Sequence, residues 1–242
     1  MPKISLFQWN INDKTPIESI VIFLKQQQTD IICLQELTID SRHQKIKDTP
    51  KYIADALDYD YYYGEAPIRS EKGVHTTFAN GIFSRFPITF KQQAWTVKRE
   101  IGDSRVYVEV DIDINDEVFT VGTTHMSYTH EFKNTSEKKL ETDALIRQLS
   151  THNKRFIFCA DLNAAAGSYT IDQIKKHLKN AGPAAAYKTW TTKPFSYNGF
   201  EESELNWRLD YVFVTKDIDV LSAEVITTDL SDHLPLKVEF KV

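Results

Sequence analysis

A chain of 242 residues, 41% hydrophobic and 26% charged, carries enough apolar sequence for one large α/β or all-β core and too much for a disordered polymer. Its net charge of −5 excludes a protein that holds polyanions by bulk electrostatics, so a phosphate-bearing ligand needs a local basic patch or a metal ion. Two cysteines, Cys33 and Cys159, each inside an apolar run, exclude a disulfide framework and fit free buried thiols in a reducing compartment. The N-terminus lacks the apolar stretch of a signal peptide and no run reaches membrane-spanning length, so a cytoplasmic monomer with no transmembrane segment is expected.

In chain order, Ile4 to Trp9 reads as a buried strand closed by Asn10-Ile11-Asn12-Asp13. Thr15-Pro16 reads as a helix start, Thr15 capping and Pro16 in the first turn, with Ile17, Ile20, Val21 and Leu24 at helical spacing. Asp30 to Leu37 is a second apolar strand that delivers Gln35-Glu36. Tyr52, Ile53, Ala56 and Leu57 suggest a short helix, Asp58 to Glu65 an edge strand, and Arg69 to Gly73 an exposed loop. Phe78 to Phe86 and Trp95 to Lys98 follow as strands. Arg105 to Ile114 alternates apolar and polar, the pattern of a half-buried strand. Asn115-Asp116-Glu117 turns it back into Val118 to Thr124, which ends at His125.

Glu137 to Ser150 is the best helix, with Leu140, Ala144, Leu145 and Leu149 on the expected buried face. Phe156 to Ala160 is a buried strand delivering Asp161-Leu162-Asn163. Ile171 to Leu178 reads as a helix, Thr189 to Glu204 as a polar loop bearing aromatics, and Leu209 to Val214 as a strand. Val220 to Thr227 and Leu236 to Val242 bracket Leu230-Ser231-Asp232-His233-Leu234-Pro235. No repeat or linker divides residues 1–242, which predicts a single domain. Mixed β and α without a strict βαβ repeat favour two largely antiparallel sheets with helices outside.

The chemistry collects at strand ends: Asn10 and Asn12, Glu36, His125, Asp161 and Asn163, Asp210, Asp232 and His233. Carboxylates this close to core strands need partners, because an unpaired buried charge is costly. Oxygen donors without cysteine or histidine clusters suit Mg²⁺ or Mn²⁺ better than zinc. Two histidines could orient a phosphate or act as acid and base. Each group also has a plainer reading: Asn10, Asn12, Asp161 and Asn163 as turn residues, His125 as a core histidine. Trp190, Tyr197, Phe200 and Trp207 could form a stacking wall or be ordinary core and loop aromatics.

Seven segments occur in a telling order: Trp9-Asn10-Ile11-Asn12, Leu34-Gln35-Glu36, Asn80-Gly81-Ile82-Phe83-Ser84-Arg85, Thr124-His125-Met126, Ala160-Asp161-Leu162-Asn163, Arg208-Leu209-Asp210-Tyr211-Val212-Phe213 and Ser231-Asp232-His233-Leu234-Pro235. Together they resemble the successive motifs of the endonuclease/exonuclease/phosphatase (DNase I-like) superfamily. The resemblance implies a four-layer α/β sandwich, with two mixed β-sheets packed face to face and helices outside. It implies Glu36 as the main Mg²⁺ ligand, with Asn10 and Asp232 completing or supporting the site. Asn12, which stands where some members carry an aspartate, is implied only as a support behind the ligands. Asp161 is implied to orient or deprotonate the attacking water, Asn163 and His125 to hold phosphate oxygens, and Asp210 to fix the tautomer of His233. Arg105 resembles an arginine that clamps substrate phosphate in the nuclease branch.

The expected activity is metal-dependent phosphodiester hydrolysis, by a nuclease or a phosphodiesterase of nucleic-acid ends. The alternative is a phosphodiesterase or phosphatase on a small-molecule or lipid head group, similar to sphingomyelinases. A catalytically silent binding module is the third reading, and the intact acid and histidine set argues against it.

Overall fold

Strand β1 (Lys3–Asn10) enters with both faces covered: Ile4 and Leu6 point between the sheets, Phe7 and Trp9 toward the helices outside. In the computed structural model, residues 3–241 are described; Met1 and Pro2, and the last residue of the expected final strand, Val242, lie outside them. After β1 come α1 (Ile17–Gln27), β2 (Ile31–Ile39), α2 (Thr49–Leu57), β3 (Asp60–Ser70) and β4 (Gly73–Ser84). Next are β5 (Ile88–Val97), β6 (Gly102–Asp103), β7 (Arg105–Ile114) and β8 (Glu117–His125). A single 3-10 turn (His130–Phe132) precedes α3 (Ser136–Leu149), β9 (Phe156–Asp161), α4 (Tyr169–Lys175) and β10 (Lys179–Asn180). The chain ends with β11 (Phe195–Tyr197), β12 (Phe200–Glu202), β13 (Asp210–Val214), β14 (Val220–Val225) and β15 (Leu236–Lys241).

Two sheets carry the fold. One has the order β14-β15-β1-β2-β4-β3-β6, the other β10-β13-β9-β8-β7-β5. Within each, neighbours are antiparallel except for one central pair, β1 with β2 and β8 with β9. A parallel pair needs a crossover, supplied by α1 in the first case and α3 in the second. The inner faces meet in one core that includes Ile4, Cys33, Val108, Cys159 and Val238. Helices α1 and α2 cover the first sheet, and α3 and α4 cover the second. This is the expected four-layer α/β sandwich of two mixed sheets with helices outside. Both cysteines are free and buried. Among the described residues no helix is long and apolar enough to cross a membrane.

Several local expectations change. Thr15 does not cap α1: the cap position is Pro16, while the Thr15 hydroxyl donates to the Leu230 carbonyl at 2.7 Å. The N–H of Ile17, which has no partner inside the helix, is taken up by Gln44 Oε1 at 3.2 Å, so a distant side chain does the capping. The loop expected over Arg69 to Gly73 shrinks to Glu71-Lys72, a turn between two long strands. Strand β7 is buried on both faces over its first six residues, because Glu109 on the outer side bonds Tyr107, Gln92 and His152. The polar loop expected over Thr189 to Glu204 contains the small β11–β12 hairpin. Its turn, Asn198-Gly199, has φ of 49° and 83°, the left-handed pair that an Asn-Gly hairpin turn requires.

Helix α3 departs most from its sequence pattern. Leu140 is 70% exposed, and the buried face runs through Lys138, Glu141, Thr142, Leu145 and Leu149. The helix turns two charged residues inward at the expense of a leucine.

Candidate active site

The functional side chains stand where the parallel pairs end. Strand β1 delivers Asn10 and β9 delivers Asp161, and both strands close with the same device. The N–H of Asn12 donates to Asn10 Oδ1 at 3.1 Å, and that of Asn163 to Asp161 Oδ1 at 2.9 Å. In each turn the third residue sits in the left-handed region, at φ 59° for Asn12 and 44° for Asn163, a conformation asparagine tolerates. Glu36 is also left-handed, at φ 60°, inside an irregularity of β2 between Leu34 and Leu37. Such a bulge re-aims one side chain out of the alternation of its strand.

These ends meet in a cleft of about 650 Å³ lined by Asn10, Glu36, Arg105, His125, Asp161, Asn163, Asp232 and His233, among others. Asn12 and Asp210 stand behind the lining. Asn12 Nδ2 donates to Asp232 Oδ1 at 2.8 Å. His233 Nδ1 donates to Asp210 Oδ2 at 2.8 Å, which leaves His233 Nε2 toward Asp161 Oδ2 at 3.6 Å. Asn10 ties the two strand ends together, donating to Glu36 Oε1 and Asp161 Oδ2 at 3.0 Å each. On the far side His125 Nε2 lies 3.4 Å from Asp161 Oδ2 and 3.1 Å from Asn163 Nδ2.

Electrostatics divides the cleft. Burial, reinforced by the charge of Asp232, pushes Glu36 up to about 7. Neither carboxylate is paired with a lysine or arginine among the described residues: Glu36 has Asn10 and the Asp13 N–H, Asp232 has Asn12 and the Trp190 indole. Two half-buried acids hydrogen-bonded only to neutral donors fit a hard divalent cation, and the oxygen-rich set Glu36, Asp232 and Asn10 is of the right chemistry for one. The buried group Asp161, Asp210 and His233 has its ligating atoms within 4.8 Å of one another. There the histidine proton already joins His233 to Asp210, so that group reads as a hydrogen-bonded relay rather than a cation seat.

Burial also raises Asp161, to about 6, with His233 opposing and Asp210 reinforcing the shift. Burial alone would lower His233, but Asp210 and Asp161 outweigh it and hold the imidazole well above its usual range. Burial, Arg105 and His233 together push His125 well below its usual range, so it is neutral at physiological pH. Arg105 is buried; among the described residues its only ion-pair partner is Asp103 at 3.4 Å and its Nε has no partner. An under-satisfied guanidinium in a cleft wall is chemically suited to an anion.

Some of the site has no signal in local sequence. Gln8 and Gln35 exchange amide hydrogen bonds at 2.6 and 3.0 Å beneath it, and Gln35 reaches Thr123 in the opposite sheet at 2.9 Å. Ser231 Oγ donates to the Asn10 carbonyl at 2.7 Å and accepts from the His233 N–H, fixing the last loop to the first strand. Trp190 packs in an aromatic cluster with Phe132, Phe195 and Trp207, and its Nε1 donates to Asp232 Oδ2 at 3.1 Å. Tyr128, Phe195 and Tyr197 continue that aromatic wall around the cleft.

Solved structures share this architecture across essentially the whole chain. An endonuclease/exonuclease/phosphatase from Beutenbergia cavernae superposes with a TM-score of 0.82 at 19% identity, covering 100% of this chain and 72% of its own. A mannosyl-6-phosphatase from Bacteroides thetaiotaomicron gives 0.70 at 16%, covering 99% and 100%. D. rerio TDP2, solved with a single-strand DNA product, gives 0.72 at 16%, covering 100% of both chains. No curated protein matches the sequence. The sequence model of the Endonuclease/Exonuclease/phosphatase family matches residues 7–233, from β1 through His233 itself. The chain therefore belongs to the endonuclease/exonuclease/phosphatase family and is a phosphoester hydrolase.

Proposed function

We propose that the protein is a divalent-metal-dependent phosphodiester hydrolase, acting as a nuclease or on the phosphodiester ends of nucleic acids. The observation that carries this reading is the meeting of an acid-lined half and a donor-lined half in one cleft, with Asp161 between them. Glu36, Asp232 and Asn10 would hold Mg²⁺, or Mn²⁺. Once bound there, the ion supplies Lewis-acid stabilisation of the phosphoryl or leaving oxygen.

The protein's own groups do the rest. Ionised Asp161 orients a water and takes its proton as the water oxygen attacks phosphorus; the ester P–O bond opposite breaks, and the leaving oxygen departs as an alkoxide that takes its proton from solvent. His233, kept protonated by Asp210, donates from Nε2 to a non-bridging oxygen. Neutral His125, the Asn163 amide and Arg105 hold the others, so charge that builds on the phosphoryl group meets preplaced donors. The aromatic wall of Tyr128, Trp190, Phe195 and Tyr197 gives a flat substituent such as a base a surface to lie on. Residues 3–241 would work as one domain, in a monomer, and two free buried thiols suit the cytoplasm.

One observation favours a second reading, a small-molecule or lipid head-group phosphoester as substrate. The net charge is −5, and Asp103, Glu137 and Glu141 put acid into the cleft wall beside Arg99 and Arg105. A panel of single- and double-stranded DNA, RNA, abasic and 5′-tyrosyl ends, bis-p-nitrophenyl phosphate, sphingomyelin and sugar phosphates, run with Mg²⁺ and with EDTA, decides between them. Hydrolysis of nucleic acid that weakens steeply with salt supports the first reading. Turnover of small phosphoesters alone supports the second, and no metal-dependent hydrolysis of any substrate overturns both.

A further inference from the structure

The inward turn of helix α3 has a consequence for the reaction proposed above, on which the following rests. Lys138 and Glu141, one turn apart, are each only 2% exposed and both line the cleft. The Lys138 ammonium donates to two main-chain carbonyls at 2.7 Å each, that of Ser127 just past the end of β8 and that of Leu162 just past the end of β9. Glu141 takes the other end of the same residue, accepting the Ser127 N–H with both carboxylate oxygens at 3.0 and 3.2 Å. The two loops are laced directly as well: Met126 N–H donates to the Asp161 carbonyl at 3.0 Å, and Asn163 Nδ2 to the Met126 carbonyl at 3.0 Å. These are the loops that carry His125 on one side and Asp161 and Asn163 on the other.

We infer that Lys138 and Glu141 are positioning residues that clamp the β8 and β9 loops against each other and so hold His125, Asp161 and Asn163 in register around the phosphate. An ammonium buried in an apolar protein is costly, and its placement needs a return. Leu140 lies exposed on the same helix, so the burial of Lys138 and Glu141 is not what hydrophobic packing alone would select. The return is geometric. Charge-assisted bonds to main-chain groups are roughly twice as strong as neutral ones, and a misplacement of about 1 Å at a reacting group costs on the order of 100-fold in rate.

The test compares wild type with Lys138→Met, which keeps the volume and removes both bonds, and Glu141→Gln, which keeps one acceptor and removes the charge. Hydrogen–deuterium exchange is read over residues 125–128 and 161–164, and kcat and KM are measured on a substrate the wild type hydrolyses. The expected result is faster exchange confined to those two loops in Lys138→Met, with kcat falling about 100-fold and KM changing less than about threefold. Glu141→Gln loosens Ser127 alone, with a kcat loss of roughly tenfold or less. If Lys138→Met does not fold, unchanged exchange at Ser127 together with a wild-type kcat in Glu141→Gln overturns the clamp. So does a Lys138→Met enzyme with wild-type exchange, or one in which only KM rises. Exchange needs no substrate, so a wild type inactive on every phosphoester would sink the hydrolase reading while leaving the clamp to be judged by exchange alone.

Discussion

The two halves of the cleft are built alike and charged differently. Each grows from the end of a central parallel pair, and each closes with an Asx turn whose third residue is a left-handed asparagine. The β1–β2 half presents Asn10, Glu36 and Asp232, with no cationic side chain among the described residues bonded to either acid. The β8–β9 half presents Asp161 among His125, Asn163, Arg105 and Lys138. One framework thus gathers acids on one side of the cleft and donors on the other, which is the division the proposed cation and phosphate sites need. The His233–Asp210 pair stitches them, since His233 comes from the loop before β15 in one sheet and Asp210 from β13 in the other.

The largest expected effect comes from disarming the acid half. Glu36→Gln removes the negative charge of one of the two acids proposed to hold the metal and keeps a single neutral carbonyl oxygen in its place. Activity should fall by about 10³-fold or more, as for the loss of a central electrostatic contributor. The same substitution relieves the burial cost and the repulsion from Asp232 that together lift Glu36 to about 7, so the metal-free variant should melt higher than metal-free wild type. A variant that keeps its rate and its response to EDTA would remove Glu36 from the site.

On the other half the test is Asp161→Asn, isosteric and still able to accept from Asn163. Loss of a general base costs about 10²- to 10⁴-fold. Wild-type rate should fall as the pH drops through about 6, where Asp161 takes up a proton, and that acid limb should vanish from the variant's residual activity. A persisting limb at the same pH would assign it to another group. Asp161→Asn is a cleaner probe than His233→Ala, because deleting His233 strands Asp210, fully buried in its sheet, and costs stability as well as turnover.

The acid half should also show in stability. In metal-free protein, Glu36 keeps its proton to a higher pH than it would unfolded, so its contribution declines as the pH rises from 4.5 through about 7. His233 is raised above its unfolded value, and its contribution is complete below about 6.5 and declines as the pH rises further. His125 acts in the opposite sense, but it is depressed, and above about 6.5 it is neutral whether folded or not. Between pH 6.5 and about 7.5 the declining contributions dominate; above that Lys138, lowered by burial to about 8, begins to act in the opposite sense. Melting should drop by several degrees over that window, at about 1.4 kcal/mol per pH unit for one fully linked proton. Saturating Mg²⁺ should flatten the slope, and an equally steep slope with the ion present would separate these carboxylates from metal binding.

The same comparison explains what the sequence reveals. Groups at strand ends are legible because an apolar run that stops at a carboxylate or asparagine leaves a physical question that only a shared site answers. Asn10, Glu36, Asp161 and His233 were visible in that way, and the sheets that carry them were visible in the runs themselves. The supports behind them were not. Gln8 and Gln35 look like polar interruptions of strands until the opposing sheet supplies Thr123. Lys138 and Glu141 look like the solvated side of an amphipathic helix, because periodicity assigns Leu140 inward and cannot know that two loop carbonyls await an ammonium. Thr15 fits a cap by rule, but Gln44 reaches the helix end first. The Asn198-Gly199 turn carried its signal openly, and the strands it joins, three residues each, were too short to register as a period.

The finest probe is Asn12→Asp, which adds charge to the half that already has too much. Its backbone raises no objection, since aspartate accepts φ near 59° about as well as asparagine does. What changes is the contact with Asp232: a donor at 2.8 Å becomes a second carboxylate. Without metal the variant should melt a few degrees lower, because like charges at that distance repel and the Asp232 oxygen loses a partner. With Mg²⁺ the added charge favours the ion, and the concentration giving half-maximal activity should fall by a few-fold, within the roughly tenfold that about 1.4 kcal/mol allows. The rate at saturation should stay within about threefold, since no donor of the phosphate half has moved. A lower melting point with an unchanged Mg²⁺ midpoint would mean that Asn12 serves only to hold Asp232 in place. A collapse in saturated rate would mean that it reaches the reacting atoms, and the division of the cleft into two halves would have to be redrawn.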